Sequence, residues 1–305
     1  MKKNRDPKKH HYVPQFLLRR FSSPPREDEK AKIFWYDKQK RVCKHTTIKD
    51  VAFTNDFYTY IADGKTINLE NDLFANLDYE ASKVLREICN TKVVPKDDIK
   101  THRLLFFLAA QFLRVPRKRE DWIRVVRDIE YQLGSGYPFG SVNCPVGSVG
   151  MENIKKWSLT DFREKCEYLE SGLRGKKIIL IDNESDMPFI ISDNPLFLIF
   201  PDEIYDINSI PGDILLPLTP HLALCVYSTE RESKINAMRK QIAFMNNIYQ
   251  IQEAERFVFS DDGKLLDRMC KTYDIFEHPC LLFEGQALEL LKSISVQHGG
   301  EYSPC

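Results

Sequence analysis

Apolar positions recur along this chain at two different periods, and the change from one to the other divides it into segments. Ile33-Phe34-Trp35-Tyr36 and a run from Arg41 to Thr47 read as two strands of a hairpin, and Phe57 to Ile61 reads as a further strand ended by the turn pair Asp63-Gly64. From Leu69 the period lengthens. Leu69, Leu73, Phe74, Leu77, Ala81, Val84, Leu85 and Ile88 fall on one face of a helix, and Ile99, Leu104, Leu105, Leu108 and Phe112 on one face of the next. Arg117 to Leu133 predicts a third helix, stopped by Gly134. After a loop the pattern repeats less regularly: a helix from Trp157 to Leu173, strands at Lys177 to Ile181 and Phe189 to Ser192 with a turn over Asn183 to Met187, and strands at Leu196 to Phe200, Ile214 to Leu218 and Leu222 to Tyr227. A helix from about Ser233 to Gln252, a strand at Phe257 to Phe259 and a helix from Ala287 to Ile294 complete the expectation.

Strands and helices do not alternate as in a βαβ protein, so the fold class expected is α+β: a small N-terminal hairpin or sheet, a central helical bundle, and a mostly antiparallel C-terminal sheet with a helix. Residues 1–9, with Lys2, Lys3, Arg5, Lys8 and Lys9 against Asp6 alone, are expected to form a flexible basic arm. Residues 10–260 are expected to form one domain, and 261–305 a C-terminal extension. Gly134 to Gly150 holds five glycines, two prolines and no charged side chain, which marks a loop and a candidate sub-boundary. Its Gly134-Ser135-Gly136 follows no strand and precedes no Gly-Lys-Ser/Thr, so it is not a phosphate loop.

Composition narrows the function classes. Lys plus Arg and Asp plus Glu both total 44, so overall charge advertises neither a nucleic acid nor an acidic membrane as partner. No apolar run reaches the length of a membrane span, and the eight cysteines show no Cys-x-x-Cys spacing, which points to reduced thiols and a cytoplasmic protein. No Gly-x-Ser-x-Gly is present to support a serine hydrolase.

Candidate chemistry gathers at a few element ends. His10 and His11 precede Pro14, which suits the first position of a helix through Phe21; imidazole is the side chain for proton transfer or metal ligation near neutrality. Neighbours on an extended segment face opposite ways, so one histidine toward a cleft and one packed in the interior is the simpler arrangement. Gln15 and Arg19 form an i, i+4 pair on that helix, and Gln111 and Arg114 share a face near the end of the second long helix. Arginine suits a phosphate or carboxylate; the alternative for Arg114 is an interhelical ion pair, for instance with Glu80. Asp193 and Asn194, in Ser192-Asp193-Asn194-Pro195, lie where an apolar strand passes into a loop. Asp193 would orient a histidine, hold a cation or take a proton, or else would close an Asx turn on backbone N–H groups. His221, beside Pro220, reads as an exposed turn residue rather than a third site histidine.

His10-His11-Tyr12-Val13-Pro14 with Phe16, Leu18, Arg19 and Phe21, then Asp56-Phe57-Tyr58, then Gln111, Arg114 and Pro116, then Ser192-Asp193-Asn194-Pro195 and Pro217-Leu218-Thr219-Pro220, in this order, resemble the motifs of a bacterial family known as domain of unknown function 4238. The resemblance runs from about residue 8 to 260. Members often carry Thr before Ser-Asp, where this chain has Ile191, which removes a hydroxyl beside Asp193. The family supplies motifs without an activity.

Two functional expectations follow. One is a hydrolase acting on a phosphate-containing substrate, a nucleic acid or nucleotide, most concretely a phosphodiesterase. His10, His11 and Asp193 would be its catalytic groups and Gln15, Arg19, Gln111, Arg114 and Asn194 its substrate contacts, with a divalent metal as an open cofactor question. The other is a non-catalytic ligand-binding or accessory module, of the kind used in bacterial stress or defence, in which the His-Pro and Asp-Pro motifs fix loops.

Overall fold

A computed structural model describes residues 8–121, 123–124, 151–199, 210 and 212–275. The chain opens with strand β1 (Lys9–His11) and the short helix α1 (Gln15–Leu18), extended by one 3-10 turn over Arg19–Phe21. Strands β2 (Lys32–Asp37) and β3 (Val42–Thr47) follow, then β4 (Phe53–Asn55), β5 (Thr59–Ala62) and β6 (Lys65–Asn68). A π-helical turn over Glu70–Phe74 leads into α2 (Ala75–Thr91), and α3 (Asp98–Leu113) begins with Asp97 accepting a hydrogen bond from the Lys100 backbone N–H at 2.8 Å. Helices α4 (Met151–Leu159) and α5 (Phe162–Leu173) precede strands β7 (Lys177–Asp182), β8 (Ile191–Ser192), β9 (Phe197–Ile199), β10 (Asp213–Thr219) and β11 (Leu222–Tyr227). Helices α6 (Glu232–Met238) and α7 (Ile242–Glu253), strand β12 (Phe257–Ser260) and helix α8 (Gly263–Ile275) close the described chain.

The protein is α+β, and its strand pairs are antiparallel. The β2–β3 hairpin is completed from far along the sequence: β12 adds to β2, and β8 to β12, in the order β3-β2-β12-β8. A second four-stranded sheet has the order β7-β11-β10-β9. Asp63 and Gly64 both take positive φ between β5 and β6, the geometry that a two-residue hairpin needs. Helix α3 is the hub. Leu104 through Phe112 are all buried on it, with α2 and α5 packed alongside, so its apolar pattern runs all round as a central helix requires.

Several elements depart from the sequence expectation. Lys177 to Ile181 and Phe189 to Ser192 do not pair across a shared turn: β7 pairs with β11, while only Ile191–Ser192 forms ladder contacts, with β12. The reason is that side chains of α7 occupy the backbone groups of residues 188–190, as described below. The expected helix from Trp157 to Leu173 is two helices with a break at Asp161, which has φ 53°, and that from Ser233 to Gln252 breaks before Ile242. Helix α8 was not expected. It is capped by Asp262, which accepts from the backbone N–H groups of Lys264 and Leu265, and it buries Leu265, Leu266, Met269 and Cys270 against β2, β3 and β12. Residues 1–7 of the basic arm, the Gly134 to Gly150 loop, most of the third helix beyond 124, the Ala287 to Ile294 helix and the rest of the extension from 276 lie outside the described residues.

Candidate functional site

The His-His-Tyr segment is held by β4 on one side and by the loop before β5 on the other. In β1, His10 stands opposite Thr54 and His11 opposite Phe53. Asp56 takes φ 52°, a left-handed conformation that Asp tolerates better than most residues, and its backbone N–H donates to the Lys8 carbonyl at 2.8 Å. The chain thereby turns so that the Tyr58 backbone N–H donates to His10 Nδ1 at 2.9 Å, with the two rings stacked at 5.7 Å. An accepting Nδ1 places the proton of the neutral ring on Nε2. His10 is buried, and so is Tyr58.

His11 faces the opposite way, tilted against Phe53 at 5.7 Å. Burial pulls its pKa down to about 4, against a hydrogen bond to the Lys49 backbone carbonyl; Lys9 and Arg19 lower it further. Its Nε2 is buried without a partner, as is Arg19 Nε. Arg19 Nη2 donates to Gln15 Oε1 at 3.1 Å, the expected i, i+4 pair. His11, Gln15 and Arg19 are thus brought to one place, and His10 is turned away from them.

Gln111 and Arg114 are brought together as their spacing predicts. Arg114 Nε donates to Gln111 Oε1 at 2.7 Å, and Gln111 Nε2 donates to the Tyr12 carbonyl at 3.0 Å, which ties the His-His-Tyr segment to α3. Arg114 as a whole is 1% exposed. Its carboxylate partner is Asp78 rather than Glu80, at 2.8 Å from Nη1; Glu80 instead pairs with Lys83 and Arg103. The helix of the expected ion pair holds, one half-turn earlier, because that position faces α3. Arg114 also lies over the rings of Phe74 and Phe107, and its carbonyl accepts from the Tyr58 hydroxyl at 2.8 Å. Tyr58 therefore bonds His10 through its backbone and the Arg114 backbone through its side chain.

Asp193 sits apart from the histidines in the bonds it makes. Oδ1 accepts from the Glu255 backbone N–H at 2.8 Å, and Oδ2 from those of Arg256 and Phe257 at 2.8 and 2.7 Å, so one carboxylate caps the entry to β12. Burial pushes Asp193 up to about 6, against the pull of these three donors and of Lys38. Tyr12 makes the link between the two regions: burial and the charge of Asp193 raise its phenol well above the usual range. The Asn194 backbone N–H donates to Ser192 Oγ at 3.1 Å.

The sequence reading missed the amides that hold this segment. Asn247 Oδ1 accepts from the Ile190 N–H at 2.9 Å while its Nδ2 donates to the Pro188 carbonyl at 2.8 Å. Asn246 Nδ2 donates to the Ile190 carbonyl at 3.0 Å, and Gln250 Nε2 to the Pro195 carbonyl at 2.9 Å, with Ser192 Oγ donating to Gln250 Oε1 at 2.7 Å. All three amides are buried. Their signal was available: amides at 246, 247 and 250 share the α7 face that carries Ile242, Ala243 and Ile251.

A small pocket at the end of α3 joins Arg114 to cationic side chains that the sequence reading had not singled out. Among the described residues Phe57, Tyr58, Arg114, Lys118, Arg119 and Lys165 line it, along with Ser158 and the carboxylate of Asp121. Its volume is about 20 Å³, room for one water-sized group. Arg119 lies 3.5 Å over the Phe57 ring, donates from Nη2 to the Phe57 carbonyl at 2.8 Å, and keeps a buried Nε with no partner. Burial brings its pKa down to about 10. Burial also lowers Lys118 and Lys165, whose ammonium groups lie 3.6 Å from Asp121 and 2.8 Å from the Thr160 carbonyl respectively. The signal was the Arg117-Lys118-Arg119 run directly after Pro116.

Among the described residues no group of three or more His, Cys, Asp or Glu side chains is placed to hold a metal ion, and no helix is long and apolar enough to cross a membrane. These features define an α+β protein whose buried polar motifs lock distant segments together beside a cationic pocket. The chain belongs to the family described as "Protein of unknown function (DUF4238)", whose model matches residues 9–264. No curated protein and no solved structure matches it.

Proposed function

We propose that this chain is a non-catalytic module that binds a phosphate-bearing ligand at the pocket lined by Lys118, Arg119 and Lys165. The observation that supports it is the gathering of Lys118, Arg119 and Lys165, each lowered by desolvation, beside the buried Arg114, with Asp121 as the carboxylate among the described lining residues. Cations held partly out of water gain most from an incoming anion, and the pocket takes one phosphoryl oxygen while the rest of the ligand stays outside. His10, Gln111, Arg114 and Asp193 are the framework in this reading, since each is tied by its side chain to backbone or to a neighbouring side chain, and Asn194 is held there through its backbone. Titration calorimetry with inorganic pyrophosphate tests it: salt-sensitive binding is expected, weakened at least tenfold in Lys118→Ala/Arg119→Ala, and equal affinity in the folded double variant would overturn it.

A second reading, phosphodiester hydrolysis, draws on the partnerless Nε2 of His11 beside Arg19 and Gln15. It requires that a model phosphodiester be turned over, with or without added magnesium, and that His11→Ala abolish the turnover.

A further inference from the structure

Behind the pocket, Glu70 and Arg114 each keep one buried side-chain atom, Oε2 and Nη2, without a partner. Glu70 stands in the π-helical turn before α2, where its backbone N–H donates to Asn68 Oδ1 at 3.1 Å; such turns are rare and recur at functional sites. The charged and titratable groups acting on Glu70 come from each side of it. Arg114 at the end of α3 favours its charge, Asp78 on α2 opposes it, and the Tyr58 phenol, also under the influence of Arg119, lies within reach of its field. Arg114 and Tyr58 line the pocket as well.

Charge balance links the two sites. With Glu70 protonated, Arg114 and Asp78 form a neutral pair behind the pocket cations. With Glu70 ionised, two carboxylates stand against one guanidinium, and a net negative charge lies behind the pocket. We propose that the protonation state of Glu70 sets the anion affinity of this pocket, so that the protein grips its anion more tightly as pH falls across neutrality. The inference rests on the pocket being an anion site. Burial and Asp78 carry Glu70 up to about 7 against the pull of Arg114, which puts the change in the neutral range.

Inorganic sulfate is the probe, because it keeps its charge from pH 6 to pH 8. Sulfate affinity should rise several-fold from pH 8 to pH 6 in the wild type and be flat in Glu70→Gln, fixed near the wild-type value at pH 6. Wild-type sulfate binding that does not change with pH, or a Glu70→Gln variant that keeps the full pH dependence, would overturn the inference and leave the pocket reading standing. Absence of sulfate and pyrophosphate binding at every pH would overturn both. A carbon-13 carboxyl titration of the wild type gives a check independent of the variant's folding. A Glu70 midpoint near neutrality is expected, and one in the ordinary carboxylate range would sink the proposal.

Discussion

His10 accepts a hydrogen bond from the Tyr58 backbone N–H across 48 residues of sequence, and the same Tyr58 donates through its hydroxyl to the Arg114 carbonyl 56 residues further on. Three segments singled out in the sequence are joined through this one tyrosine. His10→Ala strands a buried N–H, which costs about 1–3 kcal/mol. Chemical denaturation should show that loss, with pyrophosphate affinity unchanged once the variant is folded; His10→Asn, which restores an acceptor, should recover part of the stability. Tyr58→Phe removes only the hydroxyl bond and should cost about 0.5–1.5 kcal/mol.

Asp193→Asn tests the cap on β12. The amide keeps one acceptor oxygen and turns an NH2 group toward backbone N–H groups, leaving at least one of three donors unpaired, at about 1–3 kcal/mol for each. The loss should be read in thermal unfolding at pH 8, where the carboxylate raised to about 6 is ionised.

Arg114→Met should be among the most damaging single changes, because it leaves the buried Gln111 Oε1 and the half-buried Asp78 without their partner. Breaking a fully buried pair from one side costs about 3–5 kcal/mol, and solvent around the half-buried Asp78 puts the cost here below that. Adding Asp78→Leu to it should restore stability, and a double variant no better than Arg114→Met would show that the guanidinium holds the fold by other contacts.

Glu70 gives stability a defined pH dependence. Its pKa is raised on folding, from 4.5 to about 7, so the native state holds a proton that the unfolded chain has released. The contribution is present in full below 4.5 and is lost as pH rises through about 7. Thermal midpoints of the wild type should therefore decline over this window by more than those of Glu70→Gln; equal slopes would contradict the raised pKa.

Much of the local structure was legible in the sequence because it obeys local rules. The two helical periods before residue 113, the Asp63-Gly64 turn and the Gln15–Arg19 pair all depend on neighbours a few positions apart. What was not legible depends on side chains reaching across the chain. The backbone of Pro188 and Ile190 is held by the amides of Asn246 and Asn247 rather than by another strand, and no periodicity encodes that substitution. The choice of Asp78 over Glu80 is set by how α2 turns against α3. For the candidate site, spacing gave the pairs Gln111–Arg114 and Gln15–Arg19, and the opposite facing of His10 and His11. It did not reveal that Arg114 is buried, nor that Lys118, Arg119 and Lys165 share a pocket, since Lys165 arrives from α5.

The most direct test is a calorimetric titration of pyrophosphate into wild type, Lys118→Ala/Arg119→Ala and His10→Asn, each shown to be folded by circular dichroism. The account predicts binding in the wild type and His10→Asn with similar affinity, and at least tenfold weaker binding in the double variant. Undiminished binding in the double variant, or its loss in His10→Asn alone, would contradict it.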